Sequence, residues 1–212
     1  MYTEIAANYV IPQSSTRVLR IKRPDGCNYK IIPGAGAILS IHGVARPFSF
    51  ACTDKEDPWT FLIREVEGGE FNTQVRKLGA GDLIEVDDFF RYFDLEDHPE
   101  AYYFATGTGC APFLSAVGTF EHMPRATFVG AKTPADLVKI HTTDMYFVSQ
   151  VQRPSDAFHG HITDALVAFK VTPTAKYYIC GLADMVRDVS AQLMARGATH
   201  DQICVELFYA KN

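Results

Sequence analysis

The chain of 212 residues contains no uninterrupted apolar run approaching the roughly 20 residues a membrane-spanning helix needs. Its opening, MYTEIAANYV, lacks the basic stretch and apolar core of a secretory signal, so a cytoplasmic location is expected. No two of the five cysteines (Cys27, Cys52, Cys110, Cys180, Cys204) have CxxC spacing. That pattern argues against a zinc site or a chain-borne iron–sulfur cluster and leaves free thiols, with no metal site expected. Excess positive charge is also missing. A formal net charge of −5 opposes nucleic-acid binding, which depends on neutralising phosphates. There are no internal repeats and no low-complexity tracts.

What is present is an ordinary globular composition with two textures. Through residue 98 the chain reads as short strands separated by turns. Leu19 and Ile21 alternate with Arg20 and Lys22, a strand with one buried face. Pro24-Asp25-Gly26, Pro33-Gly34, Gly68-Gly69 and Gly79-Ala80-Gly81 punctuate further strands expected at 37–42, 46–52, 59–65 and 82–86. A small antiparallel barrel or sandwich follows. From residue 99 on, apolar strands (AYYFATG, ATFVGA, MYFVSQ, KYYIC, QICVELFY) alternate with helical patterns, among them HITDALVAF and TPADLVK, the latter with Thr133 as N-cap. Alternation of that kind predicts a five-stranded parallel doubly wound sheet. The expected division is 1–98 and 99–212.

Two motifs carry chemistry. Thr106-Gly107-Thr108-Gly109-Cys110-Ala111-Pro112 stands between a buried strand and a helix. Glycines there let a ligand approach the backbone, and free N–H groups at a helix start suit a phosphate. A plain tight turn would look the same. Arg46-Pro47-Phe48-Ser49 offers a phosphate fork, an aromatic ring and a hydroxyl, though an edge strand would also accept it.

Order and spacing add to these. Pro33-Gly34, RPFS, Gly68-Gly69-Glu70-Phe71-Asn72, Gly81-Asp82, TGTGCAP, Cys180-Gly181 and Glu206-Leu207-Phe208 follow one another along nearly the whole chain. The series resembles the ferredoxin–NADP reductase family, whose flavin motif Arg-x-Tyr/Phe-Ser, pyrophosphate loop and strand-end Cys-Gly-x-x-x-Met it matches. The resemblance implies an N-terminal antiparallel Greek-key β-barrel for flavin and a C-terminal nicotinamide-binding α/β domain. It places Arg46 on flavin phosphate, Phe48 against the isoalloxazine and Ser49 near the flavin N5, with Pro47 also in the flavin site. Ile63, Arg64, Gly69, Phe71, Asn72 and Thr73 would complete the flavin site. Thr106, Gly107, Thr108, Gly109, Pro112, Gly181 and Met185 would shape the nicotinamide site. Ser49, Cys180 and Glu206 would surround the point of hydride transfer, with Phe208 covering the flavin.

The chain also departs from the family's pattern. Asp88-Phe89-Phe90-Arg91 stands where relatives carry Gly-Pro-x-Gly, so the backbone must differ there and the flavin could be FAD or FMN. Phe208-Tyr209 is followed by Ala210-Lys211-Asn212, where plant-type relatives end on an aromatic. Lys132 and Arg153 favour NADPH over NADH, whereas Ser149-Gln150 stands where NADPH users often have Ser-Arg. The expected activity passes hydride from NAD(P)H to flavin and electrons to a ferredoxin, a flavodoxin or a small-molecule acceptor. An NAD(P)H:flavin oxidoreductase and a non-catalytic subunit of a larger complex are the alternatives. Arg17, Arg20, Lys22 and Arg23 form a basic set that would either steer an acidic partner or solvate an outer strand face.

Overall fold

A computed structural model describes residues 1–141, 144–150 and 157–208. Its first half is a six-stranded antiparallel sheet built from β1 (Tyr2–Val10), β2 (Thr16–Ile21), β3 (Ala35–Ile41), β4 (Val44–Ser49), β5 (Trp59–Arg64) and β6 (Leu83–Arg91). The order is β4-β3-β6-β1-β2-β5. Insertion of β6 between β1 and β3 is the crossing connection of a Greek key, and a bridge from Phe50 to Phe61 brings the two edges together as a barrel. Alternate residues point inward, so Ile5, Leu19, Ile21, Leu39, Trp59, Phe61 and Ile63 fill its interior. Each such side chain contributes roughly 1.5–3 kcal/mol of burial. His42-Gly43 joins β3 to β4 with positive φ at both residues, the backbone of a two-residue hairpin whose twist suits antiparallel strands. Helix α1 (Glu70–Val75) packs Phe71 and Val75 against the same core. Neither β1 nor α1 was legible in the sequence pattern.

The second half is a parallel sheet. Its elements are β7 (Ala101–Thr106), α2 (Ala111–Val117), β8 (Ala126–Ala131), β9 (Asp144–Val148), β10 (Ala157–His159), α3 (Ile162–Ala165), β11 (Lys176–Leu182), α4 (Ala183–Ala195) and β12 (Ile203–Phe208). The order is β10-β9-β8-β7-β11-β12. One face is covered by a cluster around Phe93, Tyr103, Phe113 and Tyr178, and the other by a cluster around Phe104, Phe128, Tyr177 and Leu193.

Three details differ from expectation. The sheet has six strands among the described residues, not five, because β10 spans three residues, too few for a periodic signal. The helix expected from TPADLVK is a 3-10 turn, Pro134–Asp136, after which Leu137 is extended. Its Asp136 carboxylate is held by the other half of the molecule, which takes the chain out of helical geometry. The pattern HITDALVAF likewise yields only the short α3 followed by a 3-10 turn, Leu166–Ala168.

The two halves touch through an apolar contact and a polar clasp. Val18 and Leu62 of the barrel meet Ala111, with Leu114 and Val138 at the margin. Asp136 Oδ1 accepts from Ser14 Oγ at 2.9 Å, Ser15 N at 2.6 Å and Ser15 Oγ at 2.9 Å. Thr133 Oγ1 donates to its other oxygen at 2.8 Å, so Thr133 caps this carboxylate and not a helix. Phe93 and Leu95, following β6, are buried under the parallel sheet and tie the connection down.

Candidate active site between the two sheets

The ends of β4, β11 and β12 converge on one carboxyl group. Cys180 and Glu206 are register partners on adjacent parallel strands, and Ser49 closes β4 of the barrel. Ser49 Oγ and Cys180 Sγ each donate to Glu206 Oε2 at 3.4 Å. Burial pushes the Glu206 carboxyl up to about 7, while hydrogen bonds from Cys180 and Ser49 pull the other way. Burial also raises the Cys180 thiol well above its usual range, and the neighbouring Glu206 charge adds to this. Cys180 is therefore a neutral thiol near pH 7, suited to contact rather than to nucleophilic attack.

Beside this cluster lies the topological switch point. The chain runs outward from β7 through β8, β9 and β10, then returns to the other side of β7 as β11. Open sheets bind ligands in the crevice at the strand ends where the direction reverses. Thr106-Gly107-Thr108-Gly109 follows β7, and Cys180-Gly181 lies at the end of β11, so both glycine motifs border the same crevice. Thr106 Oγ1 accepts the Leu182 N–H at 3.1 Å and fastens the two strand ends together. A Cβ on Gly109 would strike the Cys180 carbonyl, and one on Gly181 would strike Thr106. Gly107 is different, with φ +54° and open space around its missing side chain. Pro112 is buried in the first turn of α2. Met185 is half-buried against the core on the α4 side. Lys132 is exposed just past β8. Arg153 lies outside the described residues.

On the barrel side, Arg46 is half-exposed, donating to the Ala45 carbonyl at 2.7 Å and pairing with Glu70 at 3.4 Å. Such an exposed pair contributes little, so an anion could take over the guanidinium. Phe48 leans on Phe71 with ring centroids 5.0 Å apart, and Pro47 is exposed. Thr73 is exposed and its hydroxyl donates to the Gly69 carbonyl at 2.9 Å. Asn72 is buried, with its amide bonded to the Arg64 carbonyl at 3.1 Å and the Val66 N–H at 3.3 Å. It braces the chain between β5 and α1. Ile63 points into the barrel core. The cation, hydroxyls and rings of this donor set fit a flavin, and the glycine-bordered crevice fits a dinucleotide. Phe208 ends β12 half-buried against the parallel sheet, and Tyr209 lies outside the described residues.

The Asp88–Arg91 stretch simply continues β6 in extended conformation. Phe89 turns inward and stacks on Tyr29 at 3.9 Å, while Phe90 turns outward and stacks on Tyr92 at 4.9 Å. The Phe90 ring lies over Gly36, where a Cβ would strike it. Local sequence signals did not single out Gly36, Tyr92 or Asp136. The basic set is also dispersed. Arg17 is buried and bonded to Glu65 and Asn8, Lys22 pairs with Glu4, and Arg23 pairs with Asp54. Among the described residues no group of three or more His, Cys, Asp or Glu side chains could hold a metal ion. No described helix is long and apolar enough to cross a membrane.

No protein-family model matches the chain. In sequence it is similar to terephthalate 1,2-dioxygenase, reductase component 1, of Comamonas sp, 27% identical over 90% of this chain and 63% of that protein. It is also similar to the propane 2-monooxygenase reductase component of Rhodococcus jostii (strain RHA1), 28% identical over 90% of this chain and 59% of that protein. The chain thus spans about three-fifths of the length of these curated relatives. Its fold is shared with a ferredoxin NADP+ reductase from Neisseria gonorrhoeae solved with bound FAD and NADP. That match has a TM-score of 0.81 and 19% identity, and covers 98% of both chains. In sequence the chain is thus similar to reductase components of oxygenases, and in fold to a ferredoxin NADP+ reductase.

Proposed function

We propose that this chain is a flavin-dependent reductase that takes reducing equivalents from NAD(P)H and delivers electrons to a separate redox partner. The observation that carries this reading is the convergence of Ser49 and Cys180 on Glu206, which joins the barrel to the switch point of the parallel sheet. A bound flavin supplies a ring system that accepts hydride from a nicotinamide and releases electrons singly.

The chain's own residues provide juxtaposition and electrostatics. Arg46 and Thr73 would hold flavin phosphate, Phe48 would support the ring, and Ser49 would orient its reacting edge. Gly107 gives a dinucleotide backbone room, and Gly109 and Gly181 let the β7 loop pack closely on β11. Cys180 contributes a buried, uncharged surface that keeps water out. Glu206, with its pKa near neutrality, can hold or release a proton beside Ser49. The division near residue 98 would separate flavin and nicotinamide functions, and exposed Lys132 favours NADPH. A ferredoxin or flavodoxin is the partner class proposed, with a small-molecule acceptor as the alternative. Arg17 is taken up by a buried ion pair, whereas Arg20, Lys22 and Arg23 stay at or near the surface, where they would steer an acidic partner.

A second reading has its own observation. Replacement of the glycine stretch by continuous strand at Asp88–Arg91 changes the flavin site, and weak retention would suit an NAD(P)H:flavin oxidoreductase. Purification followed by anaerobic mixing with NADPH or NADH separates the two. Flavin that stays bound through gel filtration and bleaches on mixing is the expected result. Flavin that is lost on the column yet reduced in solution selects the second reading. Protein that binds neither cofactor rules out both.

A further inference from the structure

The end of strand β6 and the residue just past it carry two aromatic side chains, Phe90 and Tyr92, where nothing in the barrel's own packing calls for them. Phe89 belongs to the core, stacked on Tyr29 and edge-on to Trp59. Phe90 and Tyr92 lie on the opposite, outer side, stacked on one another with planes 17° apart. Tyr92 is 77% exposed, an unusual position for a large ring already ordered by a neighbour.

The register shows where this pair stands. Gly36 of β3 is the partner of Ser49 on one side and of Phe90 on the other. Directly opposed residues of an antiparallel sheet point to the same face. Ser49 and Phe90 therefore share a face, separated by two strand spacings of roughly 5 Å each. Ser49 uses that face to reach Glu206 of the parallel sheet. Between them Gly36 leaves a gap, and the Phe90 ring leans into it. A side chain at residue 36 would strike both the ring and the Phe48 carbonyl. The result is an aromatic ledge, continuous with the Ser49–Glu206 cluster and about as far from Ser49 as a tricyclic ring is long.

We propose that Phe90 and Tyr92 form a stacking platform for the isoalloxazine of the flavin, replacing through ring contact what a glycine turn provides through backbone approach. The inference rests on the reading of the chain as a flavoprotein. A planar, electron-poor heteroaromatic is the chemistry that a preordered phenyl–phenol pair takes best, since both rings pay no further ordering entropy. The reacting edge would face Ser49, and Phe48 would meet the flavin from the other side of β4.

Flavin-stripped full-length chain titrated separately with FMN and FAD tests this, read by quenching of flavin fluorescence and by the visible band. Phe90→Leu and Tyr92→Leu remove the planar rings at partly or largely exposed positions, and unchanged thermal melting shows that the fold is kept. Each variant should bind FMN and FAD roughly three- to tenfold more weakly than the unaltered chain, the range expected for one aromatic contact. Loss of quenching should accompany Tyr92→Leu. Variants that bind both flavins as well as the unaltered chain does would overturn the platform. Weakening confined to FAD would also overturn it, because the stacked ring would then be adenine. An unaltered chain that binds neither flavin would overturn the flavoprotein reading itself.

Discussion

Glu206 sets the pH behaviour of the site because its carboxyl is buried between two donors. Its pKa rises from 4.5 to about 7, so between those values the folded protein holds a proton that the unfolded chain releases. Stability from this residue is therefore greatest below 4.5, declines as pH rises and levels off above about 7. Glu206→Gln should flatten that decline and raise the melting temperature at pH 8, by at most about 3 kcal/mol in stability. An unchanged slope in thermal melts between pH 5 and 8 would assign the titration elsewhere. Arg46 works by a different physics. Its ion pair with Glu70 is exposed and long, so Arg46→Ala should leave the stability of flavin-free protein within about 1 kcal/mol. Flavin affinity should fall roughly 10- to 100-fold with the loss of charge-assisted bonds to phosphate. Thermal melts of the flavin-free protein check the first half of that expectation, and calorimetric titration with FMN checks the second. RPFS was legible as a donor set from its residue types. The inward turn of Asn72 was not, because it depends on which backbone groups β5 leaves for it.

At the scale of elements, the loop after β7 separates glycines that pack closely from one that meets open space. Gly109→Ala would drive a methyl group into the Cys180 carbonyl, and Gly181→Ala would press on Thr106 at φ +141°. Both should destabilise the fold by several kcal/mol, as overpacking against backbone does. Gly107→Ala meets open space and only the cost of φ +54°, about 1–2 kcal/mol. It should spare the fold more than the other two while weakening NADPH binding, a contrast that thermal melts with and without nucleotide would reveal. Equal destabilisation by all three would remove the distinction. The TGTG turn was readable in advance as a tight strand-to-helix turn, because glycines between an apolar strand and a helix mark one, whereas the room left at Gly107 was not. The short α3, the three-residue β10 and the turn at Pro134–Asp136 were not readable, since elements of that length hold too few residues for a period.

For the whole molecule, the clasp at Asp136 is the polar counterpart of the Val18–Leu62–Ala111 contact. Against the cost of burial, hydrogen bonds from the Ser15 amide and from the Thr133, Ser14 and Ser15 hydroxyls hold its carboxyl below the usual range. Its stabilisation is present above the ordinary carboxylate pKa and is lost as pH falls through the lowered one. Asp136→Ala should loosen the two halves, broadening or splitting the calorimetric transition at pH 7 and making the variant resemble the unaltered chain in acid. A single, equally sharp transition would show that the apolar contact suffices. The sequence by itself determined the two sheet types, the strand–glycine–helix turn and the residue types of RPFS, because periodicity, turn chemistry and side-chain chemistry are local properties. The family resemblance already grouped Ser49, Cys180 and Glu206, but only the tertiary structure decided that both donors bond one carboxylate oxygen, that Asp136 joins the halves and that Phe90 faces the same side as Ser49. Those facts depend on register and on contacts between residues far apart in the chain, and local periodicity records neither.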